Sequence, residues 1–150
     1  MNRTILLVED NPEDVRLTKR ALKRNNITNE LVVLTDGVEA LEYLIKADGG
    51  SAGAAGDLPA VILLDLKLPR MDGLELLKEI RAHERLKRLP VVVLTSSKEQ
   101  QDILNSYDLG ANSYIRKPVD FNQFAETIKQ LGLYWLVLNE PHLNKNEFQP

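Results

Sequence analysis

Three carboxylates, a hydroxyl and an ammonium in this 150-residue chain stand at the ends of short aliphatic runs. Glu9 and Asp10 follow "TILLV", Asp65 follows "AVILL", Thr95 follows "VVVL", and Lys117 lies just beyond "SYI". Acids gathered in one crevice repel, and each has its pKa raised unless a cation is near. Hard oxygen donors of this kind suit Mg²⁺, which takes one or two carboxylates, a carbonyl and retained waters. Lys117 adds further positive charge. A carboxylate beside Mg²⁺ and a lysine, with a hydroxyl donor opposite, can attack phosphorus and hold the acyl phosphate that results. The cations neutralise phosphoryl oxygens while the Thr95 hydroxyl donates to another. A purely structural metal site and separate solvated loop residues are the plainer readings. Placement of all five groups at four strand ends weighs against the second.

Such a gathering needs a sheet that delivers several strand ends to one edge. The strand candidates are 4–8, 30–34, 60–64, 91–94 and 113–115, and between and after them helical periodicity runs over 12–25, 37–47, 73–83, 98–109 and 120–133. Continuous apolar strands, each followed by a helix, indicate a parallel sheet covered on both faces. The expected architecture is α/β: a doubly wound, five-stranded parallel sheet of (βα)5 flavodoxin-like type, which binds ligands outside the carboxyl ends of its strands. Asn11 can cap the first helix, Pro12 suits its first position, and Glu13 and Asp14 favour the positive end of its dipole. Phe121, Phe124, Ala125, Ile128 and Leu131 form the core-facing stripe of the last helix. Pro69, Asp72 and Gly73 shape the loop after Asp65.

Composition sets further bounds. The apolar share of 43% and charged share of 27% are those of an ordinary globular domain. A net charge of −3 argues against a chain built mainly to hold nucleic acid or an anionic membrane. With no cysteine, disulfides, thiolate metal sites and thiol catalysis are excluded. No stretch approaches a membrane span and the N-terminus lacks a signal h-region, which points to the cytoplasm. His83 and His142 lie in polar surroundings and read as surface residues. The segment 47–59, rich in Gly and Ala, reads as a loop without fixed shape.

The chain resembles the receiver domains of two-component response regulators. The residues that carry the resemblance are "LLVEDN" (6–11), "LLDLKLPRMDG" (63–73), "VVLTSS" (92–97) and "ANSYIRKP" (111–118), and it covers about 3–133. It implies Asp65 as phosphoacceptor, with Glu9 and Asp10 as the acidic pair at a Mg²⁺ ion and Asp10 the more direct ligand. The Lys67 backbone carbonyl would be a further ligand. It implies Thr95 and Lys117 as the conserved hydroxyl and lysine, Tyr114 as the aromatic switch, and a cis Lys117–Pro118 bond. Phosphate would draw Thr95 inward and vacate space for Tyr114. That would alter a surface made by the 98–109 helix, the fifth strand and the last helix. The Lys67 side chain lies near the site and would tune acyl phosphate lifetime. On this resemblance the protein is a stoichiometric phosphoacceptor, promoting its own phosphorylation and dephosphorylation, and no turnover enzyme.

Residues 134–150 form a C-terminal extension too short for a DNA-binding domain with its own core. Tyr134, Trp135, Leu136, Val137 and Leu138 would make an apolar patch if all were exposed. They fold back on the domain or dock on a second copy. The extension and the small-residue loop are similar to single-domain regulators serving cyanobacterial and bacterial phytochromes. That similarity implies a phytochrome histidine kinase as donor and a homodimer joined by this arm. Three other readings compete. A phosphohydrolase of the haloacid dehalogenase type carries its nucleophile after the first strand, with an acid where this chain has Lys67. A flavodoxin-like cofactor binder needs a phosphate loop where Glu9 and Asp10 would repel it. A receiver that binds partners without phosphorylation would lack some site element, and none is missing.

Overall fold

A computed structural model of the chain describes residues 4–24, 27, 29–47, 58–95, 107–117 and 120–130. The elements are β1 (Ile5–Val8), α1 (Pro12–Arg24), β2 (Leu31–Leu34), α2 (Gly37–Ala47), β3 (Val61–Asp65), α3 (Gly73–Ala82), β4 (Val91–Thr95), β5 (Ser113–Arg116) and α4 (Phe121–Gln130). The strands form one parallel sheet in the order β2-β1-β3-β4-β5. This is the expected doubly wound arrangement, with order reversing between β1 and β3. Of the helix expected over 98–109, Tyr107 and Asp108 are helical; residues 98–106 lie outside the described residues, as do most of the 47–59 loop and Pro118 with its peptide bond.

Side-chain parity divides the core into two layers. Ile5 and Leu7 of β1, Val61 and Leu63 of β3, Val92 and Leu94 of β4 and Ile115 of β5 pack with Val15 and Leu22 of α1 and Phe124 and Ala125 of α4. Leu6, Val8, Ile62, Leu64 and Val91 pack on the other face with Ala40 and Leu44 of α2 and Leu76, Leu77 and Ile80 of α3. Central β1 and β3 are buried throughout, whereas edge strand β2 is half-buried. Phe124 and Ala125 thus bear out their part of the last helix's stripe, while the side chains of Phe121, Ile128 and Leu131 lie outside the described residues.

Helix starts are chemically fixed. Asn11 Oδ1 accepts the backbone N–H groups of Glu13 and Asp14 at 2.9 and 3.2 Å, capping α1 as expected. Asp72 does more than shape a loop. Its Oδ1 accepts from Glu75 N at 2.9 Å while the Glu75 side chain accepts from Asp72 N, a reciprocal capping box on α3. Gly73 opens α3 where a Cβ would lie 2.2 Å from the Asp65 carbonyl oxygen, so the close approach of helix to strand requires glycine. His83, read from sequence as a surface residue, is half-buried: its backbone N–H closes α3 on Glu79 and Ile80 and its Nδ1 accepts from Arg85 N.

Candidate phosphoacceptor and metal site

Parity explains why the charged residues meet. Glu9, Asp65 and Lys117 each stand two positions after Leu7, Leu63 and Ile115, which pack in one core layer. All three therefore emerge on the α1 side of the sheet, at the carboxyl edge. There Lys117 Nζ lies 2.7 Å from Glu9 Oε1, 2.9 Å from Asp14 Oδ2 and 3.1 Å from Asp65 Oδ1. The Lys117 side chain is only 9% exposed, so this is a desolvated cluster and no solvated surface pair.

Asp14 in this cluster was not anticipated as a site residue. An acid in the first turn of a helix is already accounted for by the helix dipole, which hid its second partner. Asp10 is exposed and borders an open cleft with Lys67, Pro69 and Asp72. Carboxylate oxygens of Glu9, Asp10 and Asp65 lie within 4.8 Å of one another. Thr95 is the last residue of β4, beside β3 in the sheet, with Leu94 paired to Asp65; its side chain lies outside the described residues. Tyr114 is exposed on β5 and meets Tyr107 edge-on, ring centres 5.7 Å apart. Tyr134, Trp135, Leu136, Val137 and Leu138 fall outside the described residues.

The electrostatics follow from burial. Glu9 is buried, which pushes its carboxyl up to about 7 against the lowering pull of Lys117. Burial likewise raises Asp65, opposed by Lys117. Burial would depress Lys117, but its close ion pairs with Glu9 and Asp14 and the charge of Asp65 outweigh that and hold the ammonium above its ordinary range. One lysine thus faces three carboxylates, and a cluster with surplus negative charge has room for a second cation. The donor set fits a hard divalent ion: all ligands are oxygens, and Glu9 Oε1 receives no well-directed hydrogen bond although the ammonium is near.

The sequence model of the response regulator receiver domain matches residues 5–129. The chain belongs to the response regulator receiver family. Response regulator Rcp1 of Synechocystis sp. is 40% identical over 134 residues, covering 89% of each chain. A solved bacteriophytochrome response regulator, AtBRR, is 51% identical with a TM-score of 0.79, over 93% of this receiver and 99% of that chain. The phosphorylated cyanobacterial phytochrome response regulator RcpA is 42% identical with a TM-score of 0.70, over 91% of this receiver and 95% of that chain. The Mn²⁺-bound structure of Rcp1 has a TM-score of 0.66 at 39% identity, over 89% of this receiver and 94% of that chain. Among the described residues no helix is long and apolar enough to cross a membrane.

Proposed function

We propose that this receiver accepts a phosphoryl group from a sensor histidine kinase on Asp65, in a Mg²⁺-dependent reaction. The observation that carries the reading is Asp65 closing β3 with Lys117 at 3.1 Å and two further carboxylates within 4.8 Å. In the reaction an Asp65 carboxylate oxygen attacks phosphorus, the P–N bond to the kinase histidine breaks, and its electron pair stays on the imidazole. Lys117 leaves Asp65 and pairs with a phosphoryl oxygen, the Thr95 hydroxyl donates to another, and Asp14 and Glu9 keep the ammonium at the rim. Glu9, Asp10, Asp65 and the Lys67 carbonyl would hold Mg²⁺, which when bound screens the charge between acceptor and incoming phosphate. Water attack on phosphorus later breaks its bond to Asp65, releases inorganic phosphate and restores the carboxylate; in this reading the protein is a stoichiometric phosphoacceptor that acts on no outside substrate.

The receiver spans 3–133 in this reading, and 134–150 is an extension. Signalling runs through Thr95 and Tyr114 to the surface around Tyr107, β5 and α4. The relatives named for phytochromes support a phytochrome kinase as donor; the cytoplasm is the proposed site of action. Transfer tests this: a phosphorylated phytochrome kinase should pass its label to the wild-type chain and not to Asp65→Asn, and retention on the kinase contradicts the reading.

The arm Tyr134–Leu138 joins two copies in this proposal, by exchange between neighbours. Gel filtration at tens of micromolar should give a dimer for the full chain and a shift toward monomer when 134–150 is removed. A monomeric full chain contradicts the arm.

A further inference from the structure

We infer that Arg70 and Asp36 are positioning residues for the metal side of the site, latching the loop 66–72 to the start of α2. The inference rests on the Mg²⁺-assisted reading above, in which this loop supplies the Lys67 carbonyl.

Arg70 has φ +64°, and no other non-glycine described residue has a positive φ. Met71 N donates to Pro69 O at 2.7 Å across Arg70, and a turn of this kind at positive φ is rare and strained, so it persists only where the surroundings hold it. The restraint is visible: Arg70 Nη2 lies 3.2 and 3.0 Å from the two carboxylate oxygens of Asp36. Asp36 is a fixed anchor, because its Oδ1 also accepts Glu39 N at 2.7 Å, as a cap on α2. Backbone packing reinforces the tie. A Cβ on Gly37 would lie 2.0 Å from the Met71 carbonyl oxygen, so loop and helix start touch main chain to main chain. At its other margin the loop closes through Gly73 N to Leu66 O at 2.8 Å. Lys67 sits between these two attachments. Asp36 is not among the clustered carboxylates and an arginine offers no oxygen ligand, so neither is a direct ligand in this reading.

Half-exposed ion pairs usually contribute little to stability. The inference is therefore about where the loop sits, and metal affinity is the property to measure. Mn²⁺ binding to the full chain, followed by electron paramagnetic resonance of the free ion, should be compared in wild type, Arg70→Ala, Asp36→Asn and the double variant. Asparagine keeps the cap on α2 while removing the charge. Each single change should weaken Mn²⁺ binding about three- to tenfold, with the double no weaker than either alone. A bare field effect predicts otherwise, since losing Arg70 would strengthen binding and losing Asp36 would weaken it. Opposite shifts, additive losses or unchanged affinities would each overturn the latch. Wild-type chain that takes up no Mn²⁺ contradicts the metal-assisted reading and the latch with it, whereas wild-type uptake with unaltered variants overturns the latch alone.

Discussion

Replacing Gly73 with alanine is expected to destabilise the protein by about 3 kcal/mol, at the upper end for overpacking, because the clash is with backbone. Helix propensity alone predicts the reverse, since alanine is favoured over glycine in a helix by about 1 kcal/mol. Geometry decides. The added Cβ would lie 2.2 Å from the Asp65 carbonyl oxygen and 2.7 Å from Leu66 Cα, and neither atom belongs to a side chain that can swing away. Relief requires α3 to withdraw, which strains the Gly73 N to Leu66 O bond and the capping box at Asp72. Urea unfolding of the two chains measures the difference. An alanine variant as stable as wild type would mean that α3 and β3 are not held this closely.

Lys117→Met carries the second large effect, and it should depend on pH. Removing one partner of a buried ionic cluster typically costs about 3–5 kcal/mol, because the remaining charge is left uncompensated. Asp14 is partly solvated and Glu9 can take a proton, so the lower end, about 3 kcal/mol at pH 8, is expected here. Glu9 has its carboxyl raised from an ordinary 4.5 to about 7, and Lys117 is among the groups that hold it down. Without the lysine, Glu9 and Asp65 move further up. A carboxyl raised by folding contributes stability that is fully present below its unfolded pKa and lost as pH rises through its folded pKa. The deficit of the variant should therefore be small near pH 5, grow through pH 7 and be largest at pH 8. Millimolar Mg²⁺ should reduce it by supplying the missing positive charge. Thermal unfolding across this range is the check, and a deficit independent of both pH and Mg²⁺ would contradict the arrangement.

Much of this site was legible because apolar runs and parity are both read directly from sequence. "ILLVE", "VILLD" and "SYIRK" each place a charged group two residues beyond a core side chain, and a parallel sheet then forces those groups onto one edge. Where both ends are described, the strand and helix limits shifted by at most a residue, as hydrogen bonding at element ends does not follow hydropathy. Other features were hidden for identifiable reasons. Asp14 already had a sufficient local role at the start of α1, so its bond to Lys117, 103 positions away, left no separate mark. The capping box at Asp72 is readable from the Asp-to-Glu75 spacing, a fainter signal than the neighbouring Pro69 and Gly73. Arg70 gave no warning of a left-handed backbone, since glycine and asparagine are the usual signs of one. Only the structure reveals the Pro69–Met71 turn and the Asp36 pairing that hold it there.

The most direct measurement is the intact mass of the chain after incubation with acetyl phosphate and Mg²⁺, wild type beside Asp65→Asn. The account predicts one added phosphoryl group on the wild type, absent without Mg²⁺ and absent in the variant. A wild-type chain that stays unmodified, or a variant modified to the same extent, would contradict it.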